Sequence, residues 1–334
     1  MKYLTKIGAL GALAMAAAAL VVSCGGGGGG GGDAPAATAT VIDTASVTKG
    51  IAAVSALIPI CSSPSAAQLA PIQSNQASSK TVWLAKKFAL SQSPQRRILA
   101  LSSTKPADTL GSCGGRMTYP DYSHANGVTT ATFAFDNYCT VDTNTSERLV
   151  LNGSIALVDT GTPSASGPIR SKLEASSPAG VTLTIQDATG RPLDAVLISF
   201  SNFLYTVGVP GGVPTSASPD RVTLGELRAT TQATAQTPSK TYRATGFSAE
   251  TFTTASGGQQ LSASARGYRS NGEYYDVATS VPLVLDATGT PTAGAVTFTG
   301  PNGSTAVATL VPGSVLQATL TVNGTPLAGM PACN

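Results

Sequence analysis

Histidine occurs once in this chain, as His124, and tryptophan once, as Trp83. A lone histidine excludes zinc centres built from several imidazoles, and it leaves any Ser-His or Cys-His mechanism a single side chain to use. His124 falls in Asp121-Tyr122-Ser123-His124, which reads as an exposed loop. Charge is scarce as well: 11% of residues are charged, against about 25% in ordinary soluble domains. The surface is therefore covered mainly by Ser, Thr, Asn, Gln and Gly, a composition that suits an exported protein. Adjacent basic residues are confined to Lys86-Lys87 and Arg96-Arg97, so the clustered basic face of a nucleic-acid binder is missing. Gly-x-Ser-x-Gly does not occur, and the octaglycine has neither the strand before it nor the helix after it that a phosphate-cradling loop needs. From these absences we expect no catalytic set, no metal, no cofactor and no nucleic-acid partner.

What is present begins at the N-terminus. Lys2 and Lys6 precede an uninterrupted run of apolar or small residues from Ile7 to Val22. At sixteen residues it is short of the roughly 20 a membrane-spanning helix needs and right for the apolar region of a signal peptide. Removing Lys2 and Lys6 with it lowers the formal charge of +3 by two. Val21-Val22-Ser23-Cys24 resembles a lipobox, where the sulfur of the invariant Cys takes a diacylglycerol and the new amino end is acylated. More than one chain, at about 0.8 kcal/mol per buried methylene, makes such an anchor stable where one chain is marginal. The expected organisation is a lipoprotein signal peptide over 1–23, then lipidated Cys24 and a flexible tether over 24–42. Gly25 to Thr40 behaves as a coil with a reach of roughly 20 Å. Gly25 stands where enteric inner-membrane lipoproteins carry Asp, which favours the outer membrane.

Residues 43–102 read as a helical preface. Val47, Ile51, Val54 and Ile58 draw one apolar stripe, closed by Pro59, and Lys80 to Ser91 forms a shorter helix carrying Trp83 and Phe88. Both helices are expected to pack on the β body that fills 103–334. Apart from Cys24 the cysteines are Cys61, Cys113, Cys139 and Cys333, an even number that permits three pairings in an oxidising compartment. A hairpin folded at Asn126-Gly127 would set Cys113 opposite Cys139, and elimination then pairs Cys61 with Cys333.

From residue 129 onward apolar residues alternate: Phe133 and Phe135, Leu149 and Leu151, Val181 to Ile185, Leu261 to Ala265, Val281 to Leu285, Leu316 to Val322. This is the period of half-buried strands. About a dozen such strands predict a large antiparallel curved sheet, or an open half-barrel, with two N-terminal helices. Turn chemistry recurs after them at Asp159-Thr-Gly-Thr-Pro163, Asp187 to Pro192, Asp286 to Pro291 and Asn323 to Pro326, where Asp or Asn bonds the backbone ahead and Gly supplies positive φ. The alternative fold is tandem Ig-like β-sandwiches, because Val181 to Phe200 resembles the opening of bacterial Ig-like adhesin modules. Asp142 to Gly153 begins like a calcium loop but has Glu147 where Gly is needed and Gly153 where Glu is needed. Glu273 and Asp276 bracket Tyr274-Tyr275, and as a carboxylate pair they are the one glycosidase-like arrangement.

Cys113-Gly114-Gly115, Phe135-Asp136-Asn137-Tyr138-Cys139, Asn152-Gly153-Ser154, Tyr275-x-Val277-x-Thr279 and Gly294-x-Val296-x-Phe298 together resemble a group of uncharacterised proteobacterial lipoproteins, over about residues 110 to 323. Tyr138, between Asn137 and Cys139, departs from that group's pattern. The resemblance implies a β meander and brings no activity. The resulting expectation is an envelope lipoprotein that is a non-enzymatic binding or structural module, held to the bilayer through Cys24. A surface adhesin and a carrier of an apolar ligand are the alternatives, with an envelope protein, a glycan or an apolar molecule as partner, and a hydrolase using His124 or Glu273 stands last.

Overall fold

The computed structural model describes residues 60–61, 104–141, 146–162, 169–231, 239–268, 273–285, 291–310 and 318–326. The expected signal, Cys24, the tether, the helices of the preface, Cys333 and the Asp142 and Asp286 turns lie outside them.

The described residues form one sheet of 16 strands. Two-residue β1 (Ile60–Cys61) and β2 (Thr109–Leu110) precede β3 (Arg116–Thr118), β4 (Ser123–Ala125), β5 (Val128–Val141), β6 (Arg148–Thr162), β7 (Ile169–Gln186) and β8 (Pro192–Thr206). There follow β9 (Asp220–Thr231), β10 (Lys240–Thr253), β11 (Gln259–Tyr268), β12 (Tyr274–Leu285), β13 (Pro291–Thr299), β14 (Thr305–Leu310), β15 (Ala318–Val322) and β16 (Thr325–Pro326). From β5 to β15 each strand lies beside the one before it in sequence, all antiparallel. The one parallel neighbour is β1, whose Cys61 backbone stands opposite Thr319 of β15. Tandem sandwiches would need two stacked sheets per module with strands exchanged between them; the unbroken ladder replaces that alternative with a single open sheet.

One face is buried along its whole width by Phe133, Leu151, Leu183, Val222, Phe247, Phe298 and their neighbours. The other carries Thr, Ser, Arg and Tyr. Strict alternation does not produce this division alone. In β5 the buried series Phe133, Phe135 resumes at Tyr138, in β9 Val222, Leu224 resumes at Leu227, and in β10 Ala244 resumes at Phe247. In β5 and β10 the inserted residues are β-bulges, marked by register shifts between Phe135 and Tyr138 and between Thr245 and Ser248, whereas β9 takes its odd step in unbroken register with β8 and β10. Each returns the apolar residues to the covered face after an odd step.

Residues that tolerate φ > 0 sit at these places: Asn137 at 49°, Gly153 at 120°, Gly180 at 86°, Asn202 at 54°, Gly246 at 60° and Gly294 at 117°. The prolines within strands, Pro178 and Pro282, fall inside register shifts too, where no ladder hydrogen is required. Register shifts occur in every pair from β5 to β8 and from β10 to β13. Asn137 N donates to Asn152 Oδ1 at 2.8 Å, and a Cβ on Gly153 would stand 2.3 Å from Gly180 O. A bulge bends its strand and sharpens its twist, so this band curves the sheet and turns the apolar face inward. The band also disrupts alternation in β12, where Val281 is 53% exposed while Leu283 is buried.

The expected hairpin is present. Asn126 and Gly127 take φ of 52° and 75°, joining Ala125 to Val128 as a two-residue turn with both central residues left-handed. Cys113 and Cys139 are disulfide-bonded, with Cα atoms 5.1 Å apart. Gly114 O accepts from Cys139 N at 3.0 Å, and Cys113 N donates to Cys139 O at 3.2 Å. Turns also form at Asp187 and at Asn323-Gly324, as expected, but Asp159 is no turn residue: it lies inside β6, 2% exposed.

Candidate functional site

Polar side chains on the covered face gather at one end of the sheet. Asp159 of β6 stands opposite Leu173 of β7, and Thr160 opposite Lys172, after which the register slips so that Gly161 faces Arg170. The slip at Ser171 returns Arg170, on an even position, to the face occupied by Asp159. Arg170 Nε donates to Asp159 Oδ1 at 2.6 Å, and Nη2 donates to Oδ2, a bidentate pair with both side chains buried. Burial raises the Asp159 carboxyl above its ordinary range, against the pull of the Arg170 guanidinium.

Beyond Leu173 the row continues to Tyr205 of β8, its register partner. Tyr205 Oη donates to Asp220 Oδ2 at 3.1 Å, and Gly208 N donates to Oδ1 at 2.9 Å. Burial, then the Asp220 carboxylate, hold the Tyr205 phenol well above its usual range, so it serves as a neutral donor rather than a nucleophile. On the other side of Asp159, Thr129 is its register partner, and Thr129 Oγ1 lies 2.8 Å from His124 Nδ1. Two side chains of β10 complete the group: Thr251, opposite Asp220, and Thr253, whose N–H donates to Pro214 O at 2.9 Å. That last bond holds the 207–219 loop against the end of β10.

The solvent face bears a second ordered group. Arg228, Arg243, Tyr268 and Tyr274 are successive register partners across β9 to β12, and Glu226, Thr245, Arg266 and Asp276 form the adjoining row. The Arg243 guanidinium lies 4.6 Å from the Tyr268 ring centroid and that of Arg266 lies 4.2 Å from the Tyr274 ring. Arg266 binds Asp276 through two bonds of 2.7 and 2.9 Å, which holds the guanidinium charged. Glu226 takes both Arg228 and Arg243. Arg228–Glu226 lies within β9; the others are cross-strand pairs and cation–π contacts of the kind that fix register on an exposed face.

The residues singled out in sequence separate accordingly. His124 belongs to strand β4 rather than to a loop, and it is half-buried beside Thr129. Asp276 is committed to Arg266, while Tyr275, next to it, turns inward against Phe298 with ring centroids 6.0 Å apart. Glu273 precedes β12, so Glu273 and Asp276 are not brought face to face by a turn or a neighbouring strand. Among the described residues no three His, Cys, Asp or Glu side chains converge as metal ligands. Asp159, Arg170, Tyr205 and Asp220 were not legible as a set. Their signal is a charged or phenolic residue at the apolar phase of a strand, visible only once the bulge at Ser171 and the pairing order are known.

The short motifs of the resemblance acquire a physical reading. Asn137, Asn152-Gly153 and Gly294 make bulges; a Cβ on Gly115 would collide with Asn137 O at 1.9 Å; and Thr279 Oγ1 accepts from Ala263 N at 3.0 Å, inside the shift between β11 and β12. The motifs are the hinge points of the curved sheet. Compared with protein-family models, curated proteins and solved structures, the chain matches none.

Proposed function

We propose that this chain is a bacterial envelope lipoprotein, acylated at Cys24 and favouring the outer membrane, whose curved sheet acts as a non-enzymatic binding or structural module. The observation that carries the reading is the Cys113–Cys139 disulfide, because such bonds persist in exported proteins and are rare where thiols are kept reduced. It agrees with the signal sequence and the lipobox-like Val21-Val22-Ser23-Cys24, which are independent of it.

The non-catalytic part of the reading is supported by what the acid–base side chains are doing. Asp159 is tied to Arg170, Asp276 to Arg266 and Glu226 to two arginines, and the buried phenol of Tyr205 is held protonated. Each is spent on holding strands together.

Labelling cells with an alkyne fatty acid tests the anchor. The wild-type chain should take up label and fractionate with outer membranes, and Cys24→Ser should lose both properties while keeping the Cys113–Cys139 bond. Label-free wild-type protein released into the soluble fraction would refute the proposal. Protease treatment of intact cells then separates a surface-facing body from a periplasmic one.

A further inference from the structure

Thr251 is 5% exposed on the covered face, and its Oγ1 has no hydrogen-bond partner; the buried Oγ1 of Thr253 on the same strand has none either. An orphaned buried hydroxyl is expensive, and valine would fill the same β-branched shape without one. Elsewhere this strand places Ala244, Phe247 and Ala249 on the covered face, so hydroxyls at two positions in succession need a reason. Across from Thr251 stands Asp220, itself 7% exposed. Each of its carboxylate oxygens accepts one bond, from Tyr205 and from Gly208, although a carboxylate has about four acceptor sites.

We infer that Asp220, Thr251 and Thr253, closed over by the 207–219 loop, form a buried binding site for water. The accounting closes on one molecule. Residues two apart on a strand are separated by about 6.8 Å and two hydrogen bonds of about 2.8 Å through one oxygen reach about 5.6 Å, so one molecule meets both hydroxyls when the two Cβ–Oγ1 bonds lean together by about 1 Å. Side chains directly across a ladder have Cβ atoms about 5 Å apart, which brings the carboxylate within reach of the same oxygen. The two hydroxyls supply a donor and an acceptor, and the water donates its remaining hydrogen to Asp220. Three partners is the usual coordination of an internal water. Through Asp220 and Tyr205 it connects to the end of the sheet that holds Arg170 and Asp159.

Water–protein Overhauser spectroscopy on the whole chain tests the site. We expect cross-peaks at the water frequency to the Thr251 methyl and the Gly208 amide, with the sign of a long-lived bound molecule. The cross-peak to the Gly208 amide should persist in Thr251→Ser and vanish in Thr251→Val, and the Val variant should unfold at lower denaturant than the Ser variant. Missing cross-peaks in the wild type would overturn the inference. So would a Thr251→Val protein that unfolds at higher denaturant than wild type, the behaviour of a dry site relieved of an orphan hydroxyl.

Discussion

Asp159 and Asp187 occur in nearly the same local sequence, Asp-x-(x)-Gly-x-Pro, and have opposite fates. Asp187 is only partly covered, and its Oδ1 accepts from Thr189 Oγ1 at 2.6 Å, Thr189 N at 2.9 Å and Arg191 N at 3.0 Å, so the turn was readable from its own residues. Asp159 is buried because Arg170 reaches it from the next strand, and no local pattern carries that information. Arg170→Met should strand a buried carboxylate and cost about 3–5 kcal/mol, whereas Asp159→Leu combined with Arg170→Met should recover most of it. Urea unfolding of the two variants decides the matter, and equal losses would contradict the pairing. For Asp187, the Thr189 hydroxyl, then the Arg191 amide, hold the carboxyl below its ordinary 3.8. Its contribution to stability is therefore present above that value and lost as pH falls through the lower, folded one. Carbon-detected titration should place the Asp187 midpoint below 3.8 and return it toward the ordinary value in Thr189→Val; identical midpoints in the two proteins would rule out this role for the hydroxyl.

At the level of strands, alternation identified which stretches are strands but not how they bend. Sequence reading followed Phe133 and Phe135 correctly, yet the step to Tyr138 depends on Asn137 adopting a left-handed conformation against Asn152 of the next strand. The departure represented by Tyr138 is thereby accounted for: the bulge puts Tyr138 on the covered face with Phe135, ring centroids 6.1 Å apart, and leaves Cys139 to meet Cys113. The Arg-Tyr ladder on the solvent face escaped notice for a related reason, since its members are far apart in sequence and meet only through register. Gly153→Ala should be among the most damaging small substitutions. It places a Cβ 2.3 Å from Gly180 O at a φ of 120°, and a loss exceeding about 1 kcal/mol is expected, read as a lower urea midpoint. A neutral outcome would mean that the two strands are not pressed together at the bulge.

For the molecule as a whole, the mainly β class and the antiparallel sheet were legible from period-two patterning, while the choice between one sheet and stacked sandwiches was not. A turn motif every hundred residues serves either, and only the strand order separates them. A continuous sheet of this kind should unfold in one transition by both fluorescence and far-ultraviolet dichroism, and two resolved transitions would restore the two-module picture. The Cys113–Cys139 bond closes 26 residues at one end of the sheet. Its reduction should cost about 3–4 kcal/mol on the chain-entropy model, measured as a drop in urea midpoint on adding a thiol reductant; an unchanged midpoint would show the bond to be dispensable.

The strand order also prescribes a sequence of construction. Because every strand from β5 to β15 pairs with its immediate predecessor, a chain emerging N-terminus first can lay down each strand on a template already made, and most contacts close over short loops, which favours rapid folding. Throughout that growth one raw edge advances with the chain. The pairing that ends the process joins β15 to Ile60–Cys61, a segment made before any of the meander. The piece that pairs with the outer side of β15 is thus made first, and that pairing waits on the arrival of the chain's final strands.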